Sequence, residues 1–190
     1  MSALFPAFLK LDDKNVLLVG GGEVARAKLA SLLAAGARVK VVALDVHPEI
    51  AASGVPCERR PFAAEDLEGA WLVVAAAPPE VNREVARAAE VRRVFVNAVD
   101  DATHASAYLG GVVRKGGVVL AVSTEGRAPA LAGLLREALE AMLPDDVAEW
   151  VDAAAALRAR QKAAGLPLAQ RRPALLDALN RLYATEGVLA

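Results

Sequence analysis

The stretch 15-NVLLVGGGEVARAKLASLLAAGARVKVVALD-45 sets three consecutive glycines between an apolar run and a helix-like run. Asn15–Val19 is short, apolar and β-branched, which suits a strand buried on both faces. After the glycines, Val24, Ala27, Leu29, Leu32 and Leu33 recur at roughly helical spacing, and Gly36 stands near the stop. "RVKVVAL" then reads as a second strand. Within this frame Gly20, Gly22 and Ala25 fit G-x-G-x-x-[GA]. Gly20 permits the tight turn out of the strand. Gly22 removes the Cβ that would block a pyrophosphate, and Ala25 is small enough for close helix–strand packing. The helix start would aim free N–H groups and a positive dipole end at phosphates. The bland alternative is a purely structural turn. The strand–turn–helix–strand context favours a dinucleotide.

Asp45 follows the second strand, where a carboxylate can accept hydrogen bonds from an adenosine ribose, a preference for NAD over NADP. The same aspartate would also serve to cap the segment before "HPEI". Arg38 and Lys40 flank it and leave NADP open.

Farther along, "CERRPF" is a weak third strand, and "WLVVAAA" (Trp71–Ala77) is a strong one ended by Pro78 and Pro79. "EVNREVARAAE" reads as a helix and "RVFVNAV" as a further strand. This alternation predicts a parallel sheet with helices on both faces and right-handed connections. The pattern then changes. "YLGGVVRKGGVVLAVST" predicts a hairpin around "RKGG", because strands this close cannot be parallel neighbours. Ala128–Leu143 predicts an amphipathic helix with proline near its start. Two helical stretches, about 145–164 and 172–185, are expected to flank "AGLPLAQRRP" as a loop.

The composition sets limits. The chain has 190 residues, 55% hydrophobic and 24% charged, which suits a folded domain with a real core rather than disorder. A net charge of -1 gives no reason to expect a nucleic-acid or membrane-surface partner. No apolar run is long enough to span a bilayer, and the first residues do not read as a signal peptide. A cytoplasmic protein is therefore expected. Cys57, His47 and His104 are too few and too scattered for a zinc site.

In an open α/β sheet, ligands gather at the carboxyl ends of the strands. "AAAPPEVN" has small residues past which a cofactor backbone can run, or is a plain proline-terminated strand. "NAVDDATHAS" gathers Asn97, Asp100, Asp101 and His104. Asn97 suits a ribose or carboxamide, and one carboxylate suits a general base. The competing reading is a polar loop that caps a helix. No Ser–His–Asp or Cys–His arrangement is legible.

Three segments, "FPAFLKLDDKNVLLVGGGEVARAKLASLLAAGARVKVVA", "VFVNAVDD" and "LAVSTEGRAPALAGLLREALEAMLP", occur in this order. The chain so resembles the precorrin-2 dehydrogenase family, which also forms the dehydrogenase/ferrochelatase portion of siroheme synthases. The resemblance covers about Phe5 to Pro144, and the tail in kind. It implies an α/β fold: a Rossmann-like NAD-binding domain (1–109), a hairpin-plus-helix dimerisation segment (110–143) and a small C-terminal helical domain (144–190) over a substrate cleft. It implies oxidation of precorrin-2 to sirohydrochlorin with NAD, on the route to sirohaem or cobalamin. In some members Fe²⁺ or Co²⁺ insertion follows. The family's catalytic aspartate falls on Asp100. Its cofactor contacts fall on Gly20, Gly21, Gly22, Glu23, Val24, Leu44, Asp45, Ala76 and Asn97. A homodimer is implied as well.

Precorrin-2 carries many carboxylates, which cations recognise, arginine best by paired hydrogen bonds. Arg114, Lys115, Arg127 and Arg136 are candidates, with Ser123 and Thr124 before a helix start. Solvated charges and an ordinary cap are the bland alternative. Two departures bear on this side. Glu125 stands where relatives commonly carry the first glycine of a pair, and "YLGG" (Tyr108–Gly111) replaces a usual Phe-x-x-Pro. A different class of protein, a non-catalytic NAD-sensing module, shares the glycine turn. The hairpin and the "RAPALA" helix favour the enzyme.

Overall fold

The computed structural model describes residues 4–186. The outermost ends of the expected domains, 1–3 and 187–190, lie outside them. The chain divides into two compact units: 1–109 with 123–128, and 110–122 with 129–190.

In the first unit, strands β1 (Asn15–Val19), β2 (Arg38–Val42), β3 (Cys57–Glu58), β4 (Leu72–Ala75) and β5 (Phe95–Ala98) form a five-stranded sheet in the order β3-β2-β1-β4-β5. Every pairing is parallel. Helix α1 (Glu23–Ala34) links β1 to β2, the short α2 (Pro48–Ala52) precedes β3, and α3 (Pro79–Arg92) links β4 to β5. The apolar strand runs have a plain reason. Val16, Leu18, Val39, Val41, Leu72 and Val74 pack on one face with Ala25, Leu29 and Leu32 of α1. Leu17, Val19, Val42, Val73 and Ala75 pack on the other with Val85, Ala86 and Ala89 of α3. Alternate residues are buried on opposite faces, so both parities of the central strands β1 and β4 are hydrophobic. Each fully buried Leu or Val contributes about 1.5–3 kcal/mol.

Three expectations need correction here. The buried stripe of α1 is Ala25, Leu29 and Leu32, while Val24 and Leu33 are exposed at 46% and 40%. The i, i+4, i+7 spacing of the buried set puts it on one face, and Val24 and Leu33 each sit one position off it. "CERRPF" yields only a two-residue strand at the sheet edge. Beyond it, Arg60 turns back to Glu58 and Asp66 rather than extending the ladder. The strand before Pro78 ends at Ala75.

In the second unit, β6 (Gly111–Lys115) and β7 (Val118–Val122) form the expected antiparallel hairpin. Gly116 and Gly117 turn it at φ +53 and +80, the conformation a two-residue hairpin loop demands. Helix α4 (Pro129–Met142) packs on both strands, and α5 (Val147–Ala163) packs on α6 (Leu168–Glu186). The expected loop over 164–173 is shorter than that. Helix α6 begins at Leu168 and takes Pro173 into its body. There the proline forfeits one backbone hydrogen bond, a cost that does not end the helix. The Arg171 side chain donates back to the Leu166 carbonyl at 2.9 Å across the shortened loop. Among the described residues, no helix is long and apolar enough to cross a membrane.

Candidate dinucleotide site and acidic loop

The strand order reverses between β1 and β4, so a crevice opens outside their carboxyl ends. The glycine run lies there, and each glycine meets a different constraint. Gly20 has φ +116, and a Cβ on it would stand 2.1 Å from the Ala76 carbonyl oxygen. Gly21 would bring a Cβ to 2.0 Å from the Asp45 carbonyl oxygen. Gly22 faces nothing within 4 Å. The turn therefore presses on the ends of β4 and β2 and leaves one face open at Gly22. That open face leaves room for the close approach of a phosphate group. No side chain caps the start of α1, so its first N–H groups stay available. These residues fit a dinucleotide. The need for Gly21 was not read from the motif, which assigns roles only to Gly20, Gly22 and Ala25. A third consecutive glycine was the available signal.

Asp45 is exposed, and its neighbour Leu44 is exposed at 68%. The His47 N–H donates to the Gly21 carbonyl at 2.7 Å, tying this loop to the turn. Glu23, at the first position of α1, pairs with Arg26, which also reaches Glu49 at 3.0 Å. Val24 is exposed beside it. The two cations that left NADP open point elsewhere. Arg38 pairs with Asp13 at 3.0 Å, at the amino end of β2. Lys40 pairs with Glu58 at 2.8 Å and Asp66 at 3.1 Å.

At the end of β5, Asn97 is buried and donates from Nδ2 to the Ala107 carbonyl at 2.9 Å. Its Oδ1 is buried without a partner. The chain then turns sharply. Asp100 has φ +57 and is exposed. Asp101 is committed instead. It accepts from the His104 N–H at 3.2 Å and lies 2.7 Å from His104 Nδ1. Burial would push the Asp101 carboxyl up, but the His104 contacts outweigh it and hold it below its ordinary value. The loop is tied back to the sheet edge through Ser106, whose Oγ accepts from the Val96 N–H at 2.9 Å. Ser106 and Ala107 N–H groups both donate to the Val96 carbonyl. Asn82 and Ser106 hold this loop, and neither was singled out in the sequence. Only proximity in three dimensions reveals them.

The segment 123–128 belongs to the same unit. A Cβ on Gly126 would sit 2.9 Å from the Ala102 Cβ and 3.7 Å from the Tyr108 ring. Tyr108 in turn donates from its hydroxyl to the Ala102 carbonyl at 2.8 Å. Thus "STEGRA" and "VDDATHASAY", distant in sequence, pack together. Ser123 Oγ accepts from the Glu125 N–H at 3.1 Å, and Thr124 Oγ1 from the Ala128 N–H at 3.2 Å. Both hydroxyl protons remain free to donate. Arg127 is exposed, 3.7 Å from Glu125. In the other unit, Arg114 is exposed and makes no ion pair among the described residues. Lys115 is spoken for by the Leu143 carbonyl at 2.9 Å and Asp145 at 2.7 Å, and Arg136 by Glu137 and Glu140. No cluster of three or more metal-ligating side chains occurs among the described residues.

A parallel sheet in this order, with a glycine turn at its reversal point, defines a dinucleotide-binding α/β protein. Comparison with known families carries this one step further. Residues 7–111 match the family described as "Putative NAD(P)-binding", and the chain belongs to that family. A nicotinamide dinucleotide is thus its cofactor class. The chain is 44% identical over 172 residues to Siroheme synthase 3 of Aeromonas hydrophila, covering 88% of this chain and 37% of that protein. It is 40% identical over 172 residues to the siroheme synthase of Citrobacter koseri, covering 88% and 38%. It therefore spans well under half of these relatives. Among solved structures, "SirC, precorrin-2 dehydrogenase" superposes with a TM-score of 0.68 at 21% identity, covering 92% of this chain and 88% of that one. That likeness is one of fold.

Proposed function

We propose that the chain oxidises precorrin-2 to sirohydrochlorin with NAD⁺. The observation that carries this reading is Asp100: an exposed carboxylate, held at positive φ just past β5, in the same unit as the open glycine turn. The names of the siroheme synthases and of SirC support the substrate. A bound nicotinamide supplies the hydride acceptor. The chain's own part is to position the macrocycle and to handle the proton that leaves with the hydride. Asp100 is the acceptor or orienting group for that proton. Asp101 is unsuited to it, because its oxygens are engaged by His104.

NAD is favoured over NADP. Asp45 is exposed beside the turn and makes no ion pair among the described residues, and both Arg38 and Lys40 are paired away from it. A 2′-phosphate would meet the Asp45 carboxylate there. Gly20–Val24, Leu44, Ala76 and Asn97 complete the proposed cofactor contacts. Ser123, Thr124, Arg127 and Arg114 are the proposed partners of substrate carboxylates. The assembly is proposed as a homodimer through residues 110–143, with 144–190 as a helical domain. Leu131, Leu134, Leu135 and Met142 leave an apolar face of α4 exposed, which supports this.

Anaerobic incubation with precorrin-2 and NAD⁺, followed by the absorbance of sirohydrochlorin, tests the reading. NAD⁺-dependent product is expected, and its absence with intact NAD binding would leave a non-catalytic sensor. Asp100→Ala is expected to lose turnover and keep NAD binding. Adding Fe²⁺ or Co²⁺ to sirohydrochlorin against a no-enzyme control tests metal insertion separately.

A further inference from the structure

We infer that Asn82 is the positioning residue for Asp100, acting by holding the Val99–Asp100 peptide in the orientation that a positive φ at Asp100 requires. The inference rests on the proposed role of Asp100. Asn82 lies in the first turns of α3 and is only 3% exposed. Its Oδ1 accepts from the Ala77 N–H at 3.0 Å, and its Nδ2 donates to the Val99 carbonyl at 3.4 Å. A backbone N–H can only donate and a carbonyl can only accept, so the two contacts fix which way the amide points.

The turn they reach is closed at both ends. The Val99 N–H donates to the Ala75 carbonyl at 2.9 Å, continuing the β4–β5 ladder. The Asp101 N–H donates to the Ala98 carbonyl at 3.3 Å, which makes Ala98–Asp101 a four-residue turn with Asp100 third. Positive φ at the third position marks the type II turn. It differs from type I by turning over the central peptide, here Val99–Asp100. A residue other than glycine pays about 1–2 kcal/mol for left-handed φ, aspartate being among the more tolerant. The carbonyl that reports the orientation of this peptide is the one Asn82 holds. Without that donor, the relaxed turn returns Asp100 to negative φ and swings its side chain to a new direction. The other half of the amide holds Ala77, next to the Ala76 carbonyl that faces Gly20. One buried side chain thereby ties the acid's turn to the floor of the dinucleotide turn.

Asn82→Asp is nearly isosteric. It keeps an acceptor for Ala77 and sets a carboxylate oxygen against the Val99 carbonyl. The expected result is a fall in kcat of about tenfold to a hundredfold with KM for NAD⁺ changed by less than about threefold. In the Asp100→Asn background, the same change is expected to cost no further activity, as a double-mutant cycle requires of two residues acting as one. Amide–Hα couplings and intraresidue NOEs of labelled protein report the sign of φ at Asp100 without any substrate. The positive-φ signature is expected to disappear in N82D. Wild-type kcat in N82D, retained positive φ, or an equal loss in the Asp100→Asn background would each overturn the inference. Should N82D not fold, Asn82→Ser carries the same tests. Failure of both to fold would assign Asn82 to the fold alone and overturn the inference too. Absence of turnover in the wild-type protein would sink the proposed reaction, while the NMR readout would still decide the conformational claim.

Discussion

The α-carbon of Gly20 faces the carbonyl of Ala76 so closely that a Cβ would lie 2.1 Å from its oxygen, whereas two residues on, Gly22 faces open space. The two glycines of one motif therefore serve different ends. Gly20→Ala forces a side chain into backbone at φ +116, and is expected to cost more than about 1–2 kcal/mol of stability. Gly22→Ala is expected to leave thermal stability within about 0.5 kcal/mol of wild type, yet to weaken NAD⁺ at least about tenfold. Thermal denaturation and calorimetric titration of both variants separate the two effects. Equal stability losses would refute the distinction.

Asp45 has no ion pair among the described residues and stands exposed beside the glycine turn. If its carboxylate receives the ribose hydroxyls, Asp45→Ala is expected to raise KM for NAD⁺ about tenfold or more, the worth of a hydrogen bond to a charged group. The kcat should stay near wild type, and the ratio of NADP⁺ to NAD⁺ use should rise. An unchanged cofactor preference in steady-state assays would return Asp45 to a local capping role.

Asp66 closes the edge beyond β3. Hydrogen bonds from Arg60 hold its carboxyl well below the usual carboxylate range against the opposing effect of burial, and the Ala63 N–H and Lys40 add to this. A carboxylate with a depressed folded pKa stabilises fully above its unfolded value, about 3.9, and loses that contribution as pH falls. Asp66→Asn is expected to cost about 1–3 kcal/mol at neutral pH. The gap to wild type should close as urea melts are taken progressively below about pH 4. A gap constant with pH would show that charge is not the cause.

Glu125 adopts φ +57, immediately before Gly126 at φ +75. Glu125→Gly removes a left-handed penalty of about 1–2 kcal/mol, offset by the about 0.5–1 kcal/mol that glycine gives up in chain entropy. A net gain of up to about 1.5 kcal/mol is expected from denaturant midpoints. Destabilisation would mean that the Arg127 contact matters more than the backbone.

Much of the architecture was legible from local pattern alone. Both parities of "VLLV" and "LVVA" are apolar, and only a strand covered on two faces rewards that. Two glycines after "RK" admit only a tight hairpin. The small two-residue extent of β3 was not legible, because Arg60 leaves the ladder for Asp66, and an ion pair between residues six apart has no period. Helix α6 also starts earlier than Pro173 suggested, since proline's local cost is outweighed by packing on α5.

At the site, the division is the same. Gly20, Gly22, Asp45 and the acids of the loop were legible as candidates from spacing and chemical type, and the resemblance raised Asp100 above Asp101. The sequence determined that a nucleotide turn exists and which side chains carry charge. Tertiary structure decided which of them are free. It tied Arg38, Lys40 and Lys115 to partners, pressed Gly21 against Asp45, and brought "STEGRA" onto the acidic loop. Covalent order sets which groups a chain owns, but their availability depends on contacts between segments far apart in sequence. Those contacts exist only once the sheet has brought the segments together.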